Sequence, residues 1–97
     1  MTGRVLSMTP TEFSFTLTVP RDPRFVTIVR DVATHVVAYA AMEATHGSAF
    51  VDRVTAACER VLAAAHHGKP CEVHFSCEHG EVHVTIADEI IRQRVAS

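Results

Sequence analysis

The chain has 97 residues, of which 47% are hydrophobic and 21% charged, with a formal net charge of −2. This balance predicts one globular domain rather than a disordered segment. It also argues against nucleic acid as the main partner, because phosphate binding needs a basic surface. We find neither an apolar run of about 18 residues that could span a membrane nor a secretory signal. An odd cysteine count, three, predicts reduced thiols in a cytoplasmic protein.

The first predicted element is a strand from Glu12 to Val19, in which apolar and hydroxyl side chains alternate. Pro20 ends this strand. Asp22 is suited to cap a helix that begins at Pro23, where a missing N–H group is harmless. Residues 1–11 are expected to be a flexible start.

Two helices are predicted next. Apolar residues at helical spacing indicate a first helix from Pro23 to about Thr45. Gly47 would then form its left-handed C-cap and Ser48 would cap the second helix. The second helix is predicted from about Ala49 to His66, before Gly68-Lys69-Pro70. Its apolar stripe consists of Phe50, Val51, Val54, Cys58, Val61, Leu62 and Ala65.

Residues 71–87 predict a β-hairpin with His79-Gly80 as its two-residue turn. That turn sets the expected register, which places Cys77 opposite Val82, Phe75 opposite Val84, and Val73 opposite Ile86. One face of the hairpin is then wholly apolar and should meet the helices. After Asp88, the tail 89–97 could continue as a strand or form a short helix.

Strands and helices are segregated along the chain, which favours an α+β fold. We predict a two-layer α/β sandwich, an antiparallel sheet covered on one face by two helices. A single domain would span residues 1–97, with its core in 12–88. Edge strands of an open sheet are usually protected or paired, and the first helix has apolar residues beyond one stripe, so a homodimer is also predicted.

The order of these elements resembles the anti-sigma-factor serine/threonine kinases of bacterial partner-switching systems. These kinases belong to the ATPase superfamily of histidine kinases, gyrase and Hsp90, and the resemblance covers about Glu12 to Asp88. The second helix of the family carries Ala-x-x-Glu-x-x-x-Asn-Ala-x-x-His. This sequence matches at Glu59, Ala64 and His67, and has Ala63 at the Asn position.

The resemblance implies a minimal Bergerat-like fold and assigns roles to three residues. Glu59 would be the general base, Asp88 would accept a hydrogen bond from the adenine amino group, and His67 would be a further remnant of the ATP site. The family motif Asp-x-Gly-x-Gly keeps only Asp88 here, since Ile90 and Arg92 replace the glycines. Ala63 offers no oxygen to Mg²⁺, which requires oxygen ligands. The ATP lid of the family has no counterpart before Ser97.

Phosphoryl transfer depends on positioned metal ions and charges, several of which are missing here. We therefore predict a non-catalytic regulatory module without a cofactor, which binds a protein and neither nucleic acid nor membrane. By resemblance, the partner would be an anti-sigma antagonist or a sigma factor. One alternative is a kinase-like domain that binds ATP and Mg²⁺ through Glu59, His67 and Asp88.

A second alternative is a metal-binding stress protein, because the sequence contains seven histidines. His74 and His83 are expected to be diagonal neighbours on the polar face of the hairpin. No Cys-x-x-Cys spacing exists, so we predict no specific metal ligands. Among the cysteines, Cys58 and Cys77 are predicted to be core residues and Cys71 an exposed thiol.

Overall fold

The computed structural model describes residues 12–64 and 69–95. It confirms the α+β fold, a four-stranded antiparallel sheet with strand order β1-β2-β3-β4 and two helices. The predicted flexible start, residues 1–11, lies outside the described residues, as does His67. The elements are β1 (Phe13–Val19), a 3-10 helix (Pro23–Phe25), α1 (Val26–Tyr39), α2 (Ala44–Ala63), β2 (Cys71–Glu78), β3 (Glu81–Ile86) and β4 (Glu89–Arg94).

The core lies between the helices and one face of the sheet. The hairpin register is confirmed, with Phe75 paired to Val84 and Cys77 to Val82. The predicted turn is also confirmed, since His79 and Gly80 both have positive φ, 53° and 75°, as a type I′ turn requires. The described part of the predicted α2 stripe is confirmed as buried, namely Phe50, Val51, Val54, Cys58, Val61 and Leu62; Gly47 and Ala57 are buried as well, and the predicted Ala65 lies outside the described residues.

The boundary between the two helices differs from the prediction. α1 ends at Tyr39 rather than near Thr45, and α2 begins at Ala44 rather than Ala49. The N-cap is Glu43, whose Oε1 accepts a hydrogen bond from the His46 amide at 3.0 Å, and not Ser48. α1 therefore ends earlier than the sequence indicated, α2 begins earlier, and the residues that cap them at the connection differ from those predicted.

Gly47 does not terminate a helix; it lies inside α2. A Cβ atom at this position would come within 2.5 Å of Val37 Cγ1 on α1. The absence of a side chain therefore lets the two helices approach each other closely. Helix-breaking propensity predicted the wrong role because tertiary packing determines the residue here.

Ala41 ends α1 in a Schellman motif. Its φ is 59°, its amide donates to Ala38 O, and the Met42 amide donates to Val37 O at 3.1 Å. Met42, the residue after it, is buried in the core, and an apolar residue at this position is typical of the motif.

We expect Ala41→Gly to raise the free energy of unfolding by about 0.5–1 kcal/mol, because glycine adopts left-handed φ without a steric penalty. Urea unfolding of the variant beside wild type measures this change. A lower or unchanged denaturation midpoint would contradict the strained cap.

Cys71 is buried, which corrects its prediction as an exposed thiol. It pairs with Val19 at the start of β2 and points to the same face as Val73 and Phe75. The predictions for Cys58 and Cys77 are confirmed, and all three cysteines are free and buried. Burial raises the pKa of each thiol, that of Cys58 to about 11.

The ambiguous tail forms a strand. β4 pairs with β3 in antiparallel fashion, with Ile91 opposite Val84 and Arg92 opposite His83. Ala87 turns the chain between the two strands with a φ of 57°. Neither helix in residues 12–64 and 69–95 is long and apolar enough to cross a membrane.

Candidate functional site

Asp88 lies in the β3–β4 turn, at the edge of a surface pocket of about 450 Å³. The pocket is open to solvent and lies between the end of α2 and the start of β4. The structure therefore brings Asp88 next to the C-terminal part of α2. The residues that line the pocket are Arg21, Arg60, Val61, Ala64, Ala87, Asp88 and Glu89.

Glu59 is exposed on α2 and is not one of the residues that line this pocket. Its neighbour Arg60 donates through Nη2 to Glu89 Oε1 at 2.7 Å, so an ion pair joins α2 to β4. His67, the third predicted remnant, lies outside the described residues. The described structure thus places Asp88 at the pocket, whereas Glu59 is not part of its lining.

The charges of the pocket are two guanidinium groups and two carboxylates. Arg21 donates through Nη1 to Val61 O at 3.3 Å, and its buried Nε has no hydrogen-bond partner among the described residues. Ala63 ends α2 with an exposed methyl group. In residues 12–64 and 69–95, no three His, Cys, Asp or Glu side chains are grouped to hold a metal ion.

The histidines of the outer sheet face bond to separate partners. His74 Nδ1 lies 2.8 Å from Thr16 Oγ1, and its Nε2 lies 3.1 Å from Ser14 Oγ. His83 donates through Nε2 to Glu81 Oε1 at 2.7 Å, which lowers the pKa of that carboxyl group. The His74 bonds connect β2 to β1, whereas the His83–Glu81 bond lies within β3, so the two histidines do not converge on one point.

A second candidate site is an apolar groove of about 360 Å³ between β1 and α1. We call it the β1–α1 groove, and it is lined by Phe13, Phe15, Val32, His35, Val36 and Tyr39. Its floor is formed by the side chains of β1 that point toward the helical layer. Phe15 is 40% exposed, whereas Phe75, which stacks on it at 5.1 Å, is fully buried.

The groove exists because the helical layer is displaced toward the opposite edge of the sheet. α2 lies against β3 and β4. β1 is an edge strand, paired only with β2 among the described residues. Alternation in β1 correctly predicted which side chains face the helices, but it gave no sign that this edge is left uncovered.

The wall of the groove is an apolar stripe on α1. Ile28, Val32 and Tyr39 recur at helical spacing beside the buried positions of that helix. Ile28 is 44% exposed and Tyr39 57% exposed. The Tyr39 ring meets Phe13 edge-on, with ring centroids 5.6 Å apart, so helix and strand form one continuous apolar surface.

No family model, curated protein or solved structure matches this chain. The fold defines a small two-layer α+β domain, and its most distinctive surface is the uncovered apolar edge formed by β1 and α1. The resemblance to anti-sigma-factor kinases stays a prediction that rests on the residues quoted above.

Proposed function

We propose that this chain is a non-catalytic regulatory module that binds protein through the β1–α1 groove. The observation that carries the proposal is the groove itself, where large apolar side chains from a strand and a helix are exposed together. Contiguous apolar surface of this kind marks interaction sites in small proteins. Phe and Tyr are also enriched at the centres of protein interfaces.

The open edge of β1 supports the same conclusion. Edge strands present unpaired N–H and C=O groups that can bind an extended segment of a partner. The groove lies directly beside this edge, so a bound strand would place alternate side chains against Phe15 and Tyr39. Backbone hydrogen bonds to β1 would supply affinity, and the groove would determine which side chains of the partner segment fit.

Anti-sigma-factor kinases provide the biological setting for the proposal, by resemblance alone. Within that setting the module would act in bacterial partner switching, with a sigma factor or an anti-sigma antagonist in the same pathway. The three free, buried cysteines agree with a cytoplasmic compartment. The pocket beside Asp88 favours ATP as a second candidate ligand, because it places that carboxyl group at a cavity.

Capture with matched baits tests protein binding. The baits are wild type, Phe15→Asp, and Ile90→Asp, a control at an exposed position on the opposite sheet edge. We expect a sigma factor or antagonist, identified by mass spectrometry and re-tested as pure protein, to bind wild type and the control but not Phe15→Asp. Equal binding to all three folded baits would contradict a role for the groove.

The ATP alternative is tested by thermal unfolding with millimolar MgATP. A ligand present at about 100 times its dissociation constant would raise stability by roughly 2.7 kcal/mol. That corresponds to a midpoint shift of about 10 °C or more for a domain of this size. Our proposal predicts no such shift. A shift that Asp88→Ala abolishes would replace the proposal with a nucleotide-binding function.

A further inference from the structure

We propose that the groove joins two copies of this chain, with β1 pairing antiparallel to β1 of a second copy and Thr16 on the two-fold axis. This inference rests on the proposed function, because both require the groove to bind protein. It adds that one protein the groove binds is a second copy of this chain. The result would be a continuous eight-stranded sheet, since each copy contributes the four strands described.

The two edges of the sheet differ in the feature that normally prevents pairing. β4 carries the charged residues Glu89, Arg92 and Arg94. Charged side chains commonly prevent an edge strand from pairing with a strand of another molecule. β1 is seven residues long and carries no charge between Phe13 and Val19. It also has no proline in that span, so pairing with another strand meets neither obstacle at this edge.

The sequence of β1 is complementary to itself. A two-fold interface brings the same patch of both copies together, so each residue type must suit the one opposite. When Thr16 of one copy lies opposite Thr16 of the other, Ser14 lies opposite Thr18. Hydroxyl side chains then face each other across the outer surface of the sheet. On the groove side, Phe15 faces Leu17 and Phe13 faces Val19. Aromatic–aliphatic and Thr–Thr pairs are favourable across antiparallel strands.

This pairing also covers the exposed stripe of α1. The helix borders the groove above β1, so the two-fold axis would bring α1 of each copy together above the joined strands. Ile28 and Tyr39, both exposed in the single chain, would then have apolar neighbours. No Asp, Glu, Lys or Arg side chain lines the described groove, so covering the groove itself removes no such charge from water.

The size of the face suggests a modest affinity. Seven strand residues extend roughly 23 Å, and the sheet and helix layers together are about 20 Å thick. The flat area is therefore on the order of 400–500 Å² per copy, below the roughly 800 Å² per partner of a standard stable interface. We accordingly expect a reversible dimer with a micromolar dissociation constant.

Cysteine cross-linking reads the register directly. The native cysteines are at most 2% exposed and should not react. Directly paired residues have Cα atoms about 4.5–5.5 Å apart, within the range of a disulfide. Mild oxidation should therefore link two copies of Thr16→Cys. Ser14→Cys and Thr18→Cys should not link to themselves, because four residues separate the positions by about 13 Å, but a mixture of the two should link.

Sedimentation equilibrium of lysine variants tests the interface without an oxidant. Thr16→Lys places like charges opposite each other on the axis and should weaken dimerisation about tenfold or more. Ile90→Lys adds the same charge at the other edge and should leave the dimer unchanged. Both positions are exposed, so both variants should fold.

A wild type that stays monomeric at hundreds of micromolar would overturn the pairing, yet would leave groove-dependent binding of another protein intact. A dimer in which Thr16→Cys fails to link, or in which Ile90→Lys alone dissociates, would overturn it as well. The proposed function is tested separately by the capture experiment, where equal binding of the partner to wild type and to Phe15→Asp would count against it.

Discussion

Replacing Phe75 with alanine should lower the free energy of unfolding by about 3–5 kcal/mol, the usual loss when a buried aromatic ring is removed. Phe75 is fully buried at the centre of the sheet, paired with Phe15 on β1 and with Val84 on β3. The cavity would lie between two strands and the helices, where neighbouring side chains have little room to rearrange. Guanidinium unfolding of the variant measures the loss.

Phe15→Ala is the matched comparison, because the two rings stack on each other with planes only 13° apart. Phe15 is 40% exposed, so its removal should lower the free energy of unfolding by only about 1–2 kcal/mol. The measurement belongs at a protein concentration well below the micromolar dissociation constant, where the proposed dimer is dissociated. Equal losses for both variants would mean that the groove is covered in solution.

Gly47→Ala should also destabilise the protein, although alanine is a better helix former by about 1 kcal/mol. The new Cβ would meet Val37 Cγ1 at 2.5 Å, and the branched valine side chain cannot easily turn away. Overpacking of this kind costs about 1–3 kcal/mol, so after the gain in helix propensity we expect a net loss of up to about 2 kcal/mol by urea unfolding.

The Val37→Ala background provides the control for this prediction. Removing the valine methyl groups removes the clash, so Gly47→Ala should then stabilise the protein by about 1 kcal/mol through helix propensity alone. The change of sign is a coupling between neighbouring residues that a double-mutant cycle measures. If Gly47→Ala were stabilising in both backgrounds, the close approach of α1 and α2 would be wrong.

The hairpin was predictable because its information is local. Alternation between Cys71 and Ile86 shows which side chains face the core, and a two-residue turn at His79-Gly80 leaves one register. The boundary between α1 and α2, in contrast, was not predictable from local sequence information. Gly47 lies where two helices meet, so a residue typical of a helix end occupies the interior of α2 for reasons of packing.

The candidate site was predictable only in part. Motif comparison drew attention to Asp88, which does line a pocket, and to Glu59, which does not line it. The apolar groove depends on how far the helical layer is displaced across the sheet. That displacement is set by α2 against β3 and β4, and no residue pattern in β1 reports it. Phe15 therefore looks like an ordinary core residue in the sequence.

Hydrogen–deuterium exchange at increasing protein concentration tests the central claim most directly, since it needs no substitution. Pairing through the groove predicts that amides of β1 (Phe13–Val19) and α1 (Val26–Tyr39) exchange more slowly as concentration rises from low to high micromolar. Amides of β4 (Glu89–Arg94), at the other edge, should not change. Exchange in β1 that is independent of concentration, or protection that develops at β4 instead, would contradict this account.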